Sequence, residues 1–165
     1  MNKRRPYRSF ISYIDRSREY YAAQGYNQPY AWAHHRDVPF APLRKVLSEC
    51  RVGLVTTAGR SEVEGKSQGQ TREFYAMPAH PVPESIYTDH LFWDKKATHT
   101  DDPDSFLPLN RLTEYAAEGL IGSVSPRFYG VPTDYSQGKT VNEAAPQILE
   151  WCRQDGVDAV LLSAL

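Results

Sequence analysis

The sequence contains little cysteine and almost no net charge. Its 165 residues include only Cys50 and Cys152, which form no CxxC pair, so neither a zinc ribbon nor a disulfide scaffold is indicated. The formal net charge of −1 gives no electrostatic reason to expect nucleic acid or an anionic membrane as a partner. No apolar run approaches the roughly 20 residues of a membrane span, and no secretory signal is visible. We therefore expect a cytoplasmic protein.

The common catalytic and nucleotide-binding motifs are also absent. The sequence has no GxSxG nucleophile elbow, no GxGxxG or GxxxxGK[ST] phosphate cradle and no HExxH zinc helix. The irregular stretch at 78–105 is rich in histidine and aspartate, but the HxD spacing of His99 and Asp101 is too common to predict a metal site. Two alternatives remain for these side chains: they face solvent, or they serve in proton transfer and substrate orientation. We expect neither a metal ion nor a bound cofactor in this chain.

Apolar runs predict the fold. Residues 51–59 are apolar and β-branched without period-2 alternation, which is typical of a strand buried on both faces, and 157–165 has the same character. Such strands need helices on each side, so we predict a three-layer α/β fold with a mostly parallel sheet, flavodoxin- or Rossmann-like. The other predicted elements are strands at 72–77 and 120–125 and helices at 15–24, 42–49, 105–118 and 140–154.

Composition divides the chain into two parts. Residues 1–41 form an aromatic-rich N-terminal arm, and residues 42–165 form the α/β domain. We expect Tyr30, Trp32 and Phe40 of the arm to be largely buried, because so many aromatic side chains would otherwise form an apolar patch. The arm packs either across the core of its own chain or against another subunit. A homo-oligomer is one form of the second alternative.

The candidate site lies where the predicted strands end. Thr56 and Thr57 close the first strand, at the edge of a parallel sheet where ligands bind. The alternative is that their hydroxyls only satisfy local backbone groups. Arg127 follows the strand at 120–125 and is suited either to clamp a substrate carboxylate or to pair with an acidic side chain. We expect Thr57, His99 and Arg127 to converge on one concavity. Cys50 precedes a strand and Cys152 lies within a helix, so both thiols are expected to be structural.

Four separate blocks of the sequence resemble one known family. The blocks occur in the family's order and cover most of residues 47–165; they are 47–59, 106–112, 117–127 and 155–162. The sequence resembles the glycine/sarcosine/betaine reductase selenoprotein B family, which includes the selenoprotein subunit of D-proline reductase. The segment 96–101 resembles the histidine-bearing region of that family, whereas the surroundings of Arg127 depart from the glycine-reductase branch, where a histidine near Phe128 is expected.

The resemblance implies a reductase that acts on a small, amino-acid-like or other small substrate. It places a selenocysteine or cysteine nucleophile closely after the strand at 157–162, and we expect that residue immediately after Leu165. The chain would then be the truncated N-terminal part of the family domain, with an α/β sheet incomplete at its C-terminus and no activity of its own. In this interpretation His99 and Asp101 hold or relay a proton, while Thr56, Thr57 and Arg127 shape the substrate pocket. A thiol reductant protein is the implied partner.

Two alternatives remain open from the sequence. An amino-acid racemase-like isomerase also uses cysteine after a buried strand, but it needs one on each side of the substrate. A non-catalytic interaction domain would instead use the aromatic arm.

Overall fold

The structure is a computed structural model that describes residues 12–28, 36–38, 41–59, 73–86, 88, 99–131, 133 and 136–164. The chain divides into two units, Met1–Pro39 and Phe40–Leu165. In the first unit, helix α1 spans Tyr13–Ala23. Its N-cap is Ser12, whose hydroxyl accepts from the Asp15 backbone N–H, so the helix begins two residues before the predicted start at residue 15. Tyr30, Trp32 and Phe40 lie outside the described residues, and their burial stays a prediction.

The second unit contains a five-stranded, mostly parallel sheet with flanking helices, which confirms the predicted α/β class. Its strands are β1 (Arg51–Thr56), β2 (Tyr75–Pro78), β3 (Ser123–Val124), β4 (Arg127–Gly130) and β5 (Ala159–Ser163). Its helices are α2 (Leu109–Ala117), α3 (Gln137–Lys139) and α4 (Ala145–Gln154), with 3₁₀ turns at Leu47–Glu49 and Pro103–Ser105 and a π-helical turn at Thr140–Ala144.

Strand β1 is the centre of this sheet. It pairs in parallel with β5 along one edge and with β3 and β4 along the other, because Val52 and Val55 each have a partner on both sides. The outer strand β2 runs antiparallel to β4. The sheet order is therefore β2, then β3 and β4 together, then β1, then β5.

Strands β3 and β4 form one interrupted strand. Three steps along β1, from Val52 to Val55, correspond to five steps from Val124 to Tyr129, so two extra residues are accommodated around Pro126. Pairing thus pauses at Pro126 and resumes one residue later in β4, where the side chain of Tyr129 is fully buried. The strand predicted at 120–125 is only Ser123–Val124, and β4 was not predicted.

Helices cover both faces of the sheet. On one face Leu109 and Leu112 of α2 pack in a cluster with Leu54. On the other face Ile148 and Cys152 of α4 pack in a second cluster, which contains Val55 and Tyr129. The sheet and the helices on its two faces form the three layers that the sequence predicts, with one cluster between each pair of layers.

Prolines move several predicted helix boundaries. The helix expected at 42–49 is only the 3₁₀ turn Leu47–Glu49. The helix expected at 105–118 begins at Leu109, after Pro108 in the N-cap position. The helix expected at 140–154 begins instead at Gln137, and the helical run passes through a π-helical turn just ahead of Pro146. A π turn is an expected response there, because proline has no N–H to donate and its ring crowds the preceding turn.

Strand β5 differs most from its prediction. The sequence indicates a fully buried strand, but Val160, Leu161 and Leu162 are all exposed. Within the described residues β5 pairs with β1 alone, so its other edge contributes no neighbouring strand to cover these side chains. The prediction of full burial at 157–165 is therefore wrong.

Candidate functional site

Four residues form a row across the sheet at the carboxyl end of β1. The pairing register aligns Tyr75 with Gly130, Gly130 with Thr56, and Thr56 with Ser163. Three of the four residues have a side chain that ends in a hydroxyl, and the fourth is Gly130. All four positions belong to the face of the sheet that α2 covers, since register partners share a face. The carboxyl edge of a parallel sheet is the usual place for ligands, so this row marks the base of the candidate site.

Thr56 is fully buried, and its hydroxyl has two hydrogen bonds. Oγ1 donates to the Phe106 carbonyl at 3.1 Å and accepts from the Ala58 N–H at 3.2 Å. The side chain therefore ties the turn after β1 to the segment that leads into α2. Thr56 lies at the predicted edge of the sheet, but its polar atom is engaged within the protein.

Two further hydroxyl side chains follow the strand ends at this edge. Thr57 comes directly after β1 and is half-buried. Thr133 comes three residues after β4, and within the described part of the chain its Oγ1 is buried without a hydrogen-bond partner. A buried hydroxyl without a partner loses about 1–3 kcal/mol of solvation, so Thr133 would gain from a ligand oxygen or a water molecule. Sequence reasoning missed Thr133 because it missed β4, and the buried pair Phe128–Tyr129 was the signal that would have placed it.

His99 and Asp101 lie together on the segment that leads to the Pro103–Ser105 turn. The Asp101 N–H donates to His99 Nδ1 at 3.3 Å, and the same Nδ1 lies 3.4 Å from Asp101 Oδ2. Nδ1 accepts in the first contact and needs a hydrogen for the second, so the two contacts call for different hydrogen positions on the ring. Both side chains are highly exposed, at 72% and 87%. The structure thus brings together the predicted proton-holding pair, and their role in catalysis stays a prediction.

Arg127 lies at the opposite end of the sheet. Its Nε and Nη2 donate to the two carboxylate oxygens of Asp155 at 2.8 and 2.9 Å. The Asp155 carbonyl in turn accepts from Arg51, the first residue of β1, at 2.6 Å. The guanidinium therefore lies beside the amino end of β1, and the structure does not bring it together with Thr57.

Asp155 is the centre of a polar network at this amino end. Its Oδ2 also accepts from the Tyr129 hydroxyl at 2.7 Å, and that hydroxyl lies 3.2 Å from Ser125 Oγ. Burial by itself raises the pKa of Asp155, but the hydrogen bonds from Arg127 and Tyr129 outweigh it and lower the pKa below its usual 3.8. Burial raises the pKa of the Tyr129 hydroxyl, and its bond to Asp155 adds to that effect. The network is built to keep Arg127 and Asp155 charged and paired.

Neither cysteine lies at the carboxyl edge. Cys50 is fully buried before β1, where its Sγ donates to the Val46 carbonyl at 3.4 Å. Cys152 is buried within α4, and burial raises the pKa of its thiol. A raised pKa lowers the thiolate fraction, so Cys152 is a poor nucleophile at neutral pH.

Among the residues that the structure describes, no three His, Cys, Asp or Glu side chains are grouped closely enough to hold a metal ion. His90 and Asp89, also ligand types in the 78–105 stretch, lie outside the described residues. Across the same described ranges, no helix has both the length and the apolar character needed to cross a lipid bilayer.

Comparison with known proteins identifies the family. The chain is 31% identical over 134 residues to the betaine reductase complex component B subunit beta of Peptoclostridium acidaminophilum, which covers 75% of this chain and 30% of that subunit. It is 29% identical over 130 residues to the D-proline reductase subunit gamma of Acetoanaerobium sticklandii, covering 76% of this chain and 52% of that subunit. The chain thus spans about a third and about half of the length of these two relatives.

No solved structure matches the chain. The sequence model of the family "Glycine/sarcosine/betaine reductase selenoprotein B" matches residues 19–165, which include the end of α1, the whole sheet and both covering helices. The chain belongs to the glycine/sarcosine/betaine reductase selenoprotein B family.

Proposed function

We propose that this chain forms the substrate-binding α/β part of a reductase subunit, with its site at the carboxyl edge of β1 and β4. The observation that carries the proposal is the family match over residues 19–165. The geometry supports it, because hydroxyl side chains collect at the edge where α/β proteins bind ligands, whereas the charged network of Arg127 lies at the other end.

The proposed substrate is a small amino acid or a related compound. Glycine, sarcosine, betaine and proline, which name the family and its relatives, all combine a carboxylate with a nitrogen atom. Hydroxyl donors suit a carboxylate oxygen, and Thr133 has a buried hydroxyl without a partner. Thr57 and Thr133 are therefore the residues that we propose to orient the substrate.

The proposed nucleophile is a selenol or thiol that follows β5 and is not one of these 165 residues. In its reduced form such a group is a nucleophile near neutral pH. Together with a second thiol it supplies the two electrons that reduce the substrate, and a thiol reductant protein then reduces the oxidised pair again. Residues of this chain bind the substrate beside it. Because the group works in its reduced form, a reducing, cytoplasmic compartment is proposed as well.

His99 is proposed to hold the proton that the reduced product needs. Its two alternative contacts with Asp101 allow Nδ1 to be either protonated or free without movement of the chain. Arg127 is left out of the proposed site, because Asp155 already takes both of its best-oriented donors.

Assembly with a second protein subunit is also proposed. The two relatives are named as a complex component and as a subunit, which makes a protein partner plausible. Whether a second copy of this chain takes part is a separate proposal, which the mass of the assembled protein tests.

Backbone amide shifts on titration with glycine, sarcosine, betaine and D-proline test the proposed site. We expect at least one compound to shift the amides of Thr57, Gly59 and Thr133 saturably. Thr133→Val should weaken that binding about 10- to 100-fold, the loss of one hydrogen bond to a charged group. The matched control is Thr113→Val on α2, whose hydroxyl bonds the Leu109 carbonyl away from the edge. Shifts confined to Arg127 and Asp155, or no saturable shift with any compound, would contradict the proposal.

A further inference from the structure

We propose that Tyr75 is a positioning residue for the carboxyl-edge site, and that Gly130 is required to admit its ring. The Tyr75 hydroxyl fixes the backbone of the turn Thr57–Gly59, on which the proposed ligand-orienting residue Thr57 lies. The role in binding rests on the proposed function, whereas the fixing of the turn rests on geometry alone.

The Tyr75 side chain reaches across a whole strand. Tyr75 belongs to β2, which pairs with β4, yet its hydroxyl donates to the carbonyl of Ala58, beyond the end of β1, at 2.6 Å. The ring is buried and packs edge-on against Phe128, with 6.2 Å between ring centroids. The bond thus links the outer strand of the sheet directly to the turn after its central strand.

Side chains hold both backbone polar groups of Ala58. Its carbonyl accepts from Tyr75, and its N–H donates to Thr56 Oγ1 at 3.2 Å. Ala58 itself is buried, so water cannot reach its backbone groups, and these two bonds satisfy them instead. Thr57 stands between two residues whose positions are fixed in this way, so the directions of its side chain and carbonyl are set before any ligand binds. Such preorganisation lowers the ordering cost of binding.

Gly130 makes room for the ring. A Cβ atom at Gly130 would overlap the Tyr75 ring carbons, far inside contact distance. The backbone there does not need glycine for its conformation, because the glycines with positive φ in the described residues are Gly25, Gly119 and Gly156. The space that Tyr75 occupies is therefore the physical reason for glycine at 130.

Hydrogen exchange of Tyr75→Phe in the full chain tests the fixing of the turn. The variant keeps the ring and removes only the hydroxyl, so we expect the Ala58 amide to exchange about tenfold faster while Val52–Val55 are unchanged. Tyr115→Phe, at a half-exposed position on α2, is the matched control and should change neither. Unchanged exchange at Ala58 would overturn the proposal.

Ligand affinity separates positioning from simple stabilisation. In the amide titration described above, Tyr75→Phe should weaken binding about tenfold as well as lower Tm, because the buried Ala58 carbonyl loses its partner, whereas a merely structural tyrosine would lower Tm and leave the affinity intact. Faster exchange with unaltered affinity would overturn the positioning role. If the unsubstituted chain binds none of the four compounds, the proposed substrate class fails, and the exchange comparison still decides whether Tyr75 fixes the turn.

A double-mutant cycle tests the role of Gly130. Gly130→Ala should accelerate Ala58 exchange at least as much as Tyr75→Phe, because the added methyl displaces the ring. In a Tyr75→Ala background the methyl has space, so the same substitution should add less than a twofold change. Gly138→Ala, where a Cβ meets nothing within 4 Å, is the control. Equal effects of Gly130→Ala in both backgrounds would overturn the assignment.

Discussion

Strands β1 and β5 are similar as sequences and opposite as environments. Each is an apolar run rich in valine and leucine, and they pair in parallel over five residues. In β1 five of six residues are buried, and Leu54 is 1% exposed, whereas Leu162 in β5 is 77% exposed. The difference comes from the neighbours, because β1 has strands on both edges and β5, within the described residues, has one. An apolar run therefore predicts a strand, but its burial depends on its place in the sheet.

Leucine truncation should separate the two strands most strongly. Leu54 and Leu161 are register partners on the same face, so Leu→Ala removes the same atoms from matched positions. We expect Leu54→Ala to cost about 3 kcal/mol of unfolding free energy, since it leaves a cavity in the core. Leu161→Ala, at 40% exposure, should cost about 1 kcal/mol. Urea denaturation measures both values, and equal losses would show that Leu161 is covered in solution as well as Leu54 is.

Hydroxyl removal should give the next largest contrast. Thr56→Val leaves the Phe106 carbonyl and the Ala58 N–H without a hydrogen-bond partner. We expect the unfolding free energy to fall by about 2 kcal/mol. Ser163→Ala, at the register partner on β5, should change stability by no more than about 0.5 kcal/mol. Thermal denaturation of both variants checks the pair. A loss at Ser163 as large as that at Thr56 would contradict the asymmetry.

The charged pair of Arg127, at the start of β4, and Asp155, which follows α4, should make stability depend on pH. The folded-state pKa of Asp155 is lowered, so its carboxylate stabilises the fold above the unfolded pKa of about 3.9, and that contribution is lost as pH falls through the folded value. Asp155→Asn should therefore flatten the fall in unfolding free energy below about pH 4. Urea denaturation between pH 3 and 7 measures this slope.

Arg127→Met is a second variant that tests the dependence of unfolding free energy on pH. It removes the main partner of Asp155, so it should flatten the slope too and cost about 1–2 kcal/mol at pH 7, discounted because the arginine is partly exposed. An unchanged slope in both variants would show that the pair does not control acid stability.

The smallest effect is expected at the most exposed leucine. Leu162→Lys adds a charge to a side chain that is mostly in contact with solvent, so unfolding free energy should change by no more than about 0.5 kcal/mol. The same variant should raise solubility, because an edge strand with exposed apolar residues favours association and lysine opposes it. Sedimentation of the two proteins at matched concentration checks this, and a large loss of stability would mean that Leu162 is buried in solution.

Sequence reasoning reached the fold class, the central strand and the glycines that end helices, and each rests on a local rule. Gly25, Gly119 and Gly156 adopt positive φ where a helix ends, as the sequence predicts. It missed β4 because Pro126 usually ends a strand, whereas here the chain bulges and resumes pairing. It placed Arg127 at the wrong end of the sheet for the same reason, because a residue that follows β3 also begins β4.

The candidate site was only partly accessible to sequence reasoning. The two threonines after β1 could be placed from the strand that precedes them. The roles of Tyr75 and Gly130 could not, because they depend on an antiparallel pairing between residues 55 positions apart in the sequence. Long-range pairings of this kind leave no periodic trace in either segment.

The burial of both cysteines has a practical consequence for chemical labelling. Cys50 has no exposed surface and the Cys152 thiol has a raised pKa, so a thiol-alkylating reagent at mildly acidic pH should modify this domain slowly. In the proposed reductase, with its proposed selenol or low-pKa thiol, the domain would contribute almost no background to the label. Rapid alkylation there would report on the added nucleophile alone.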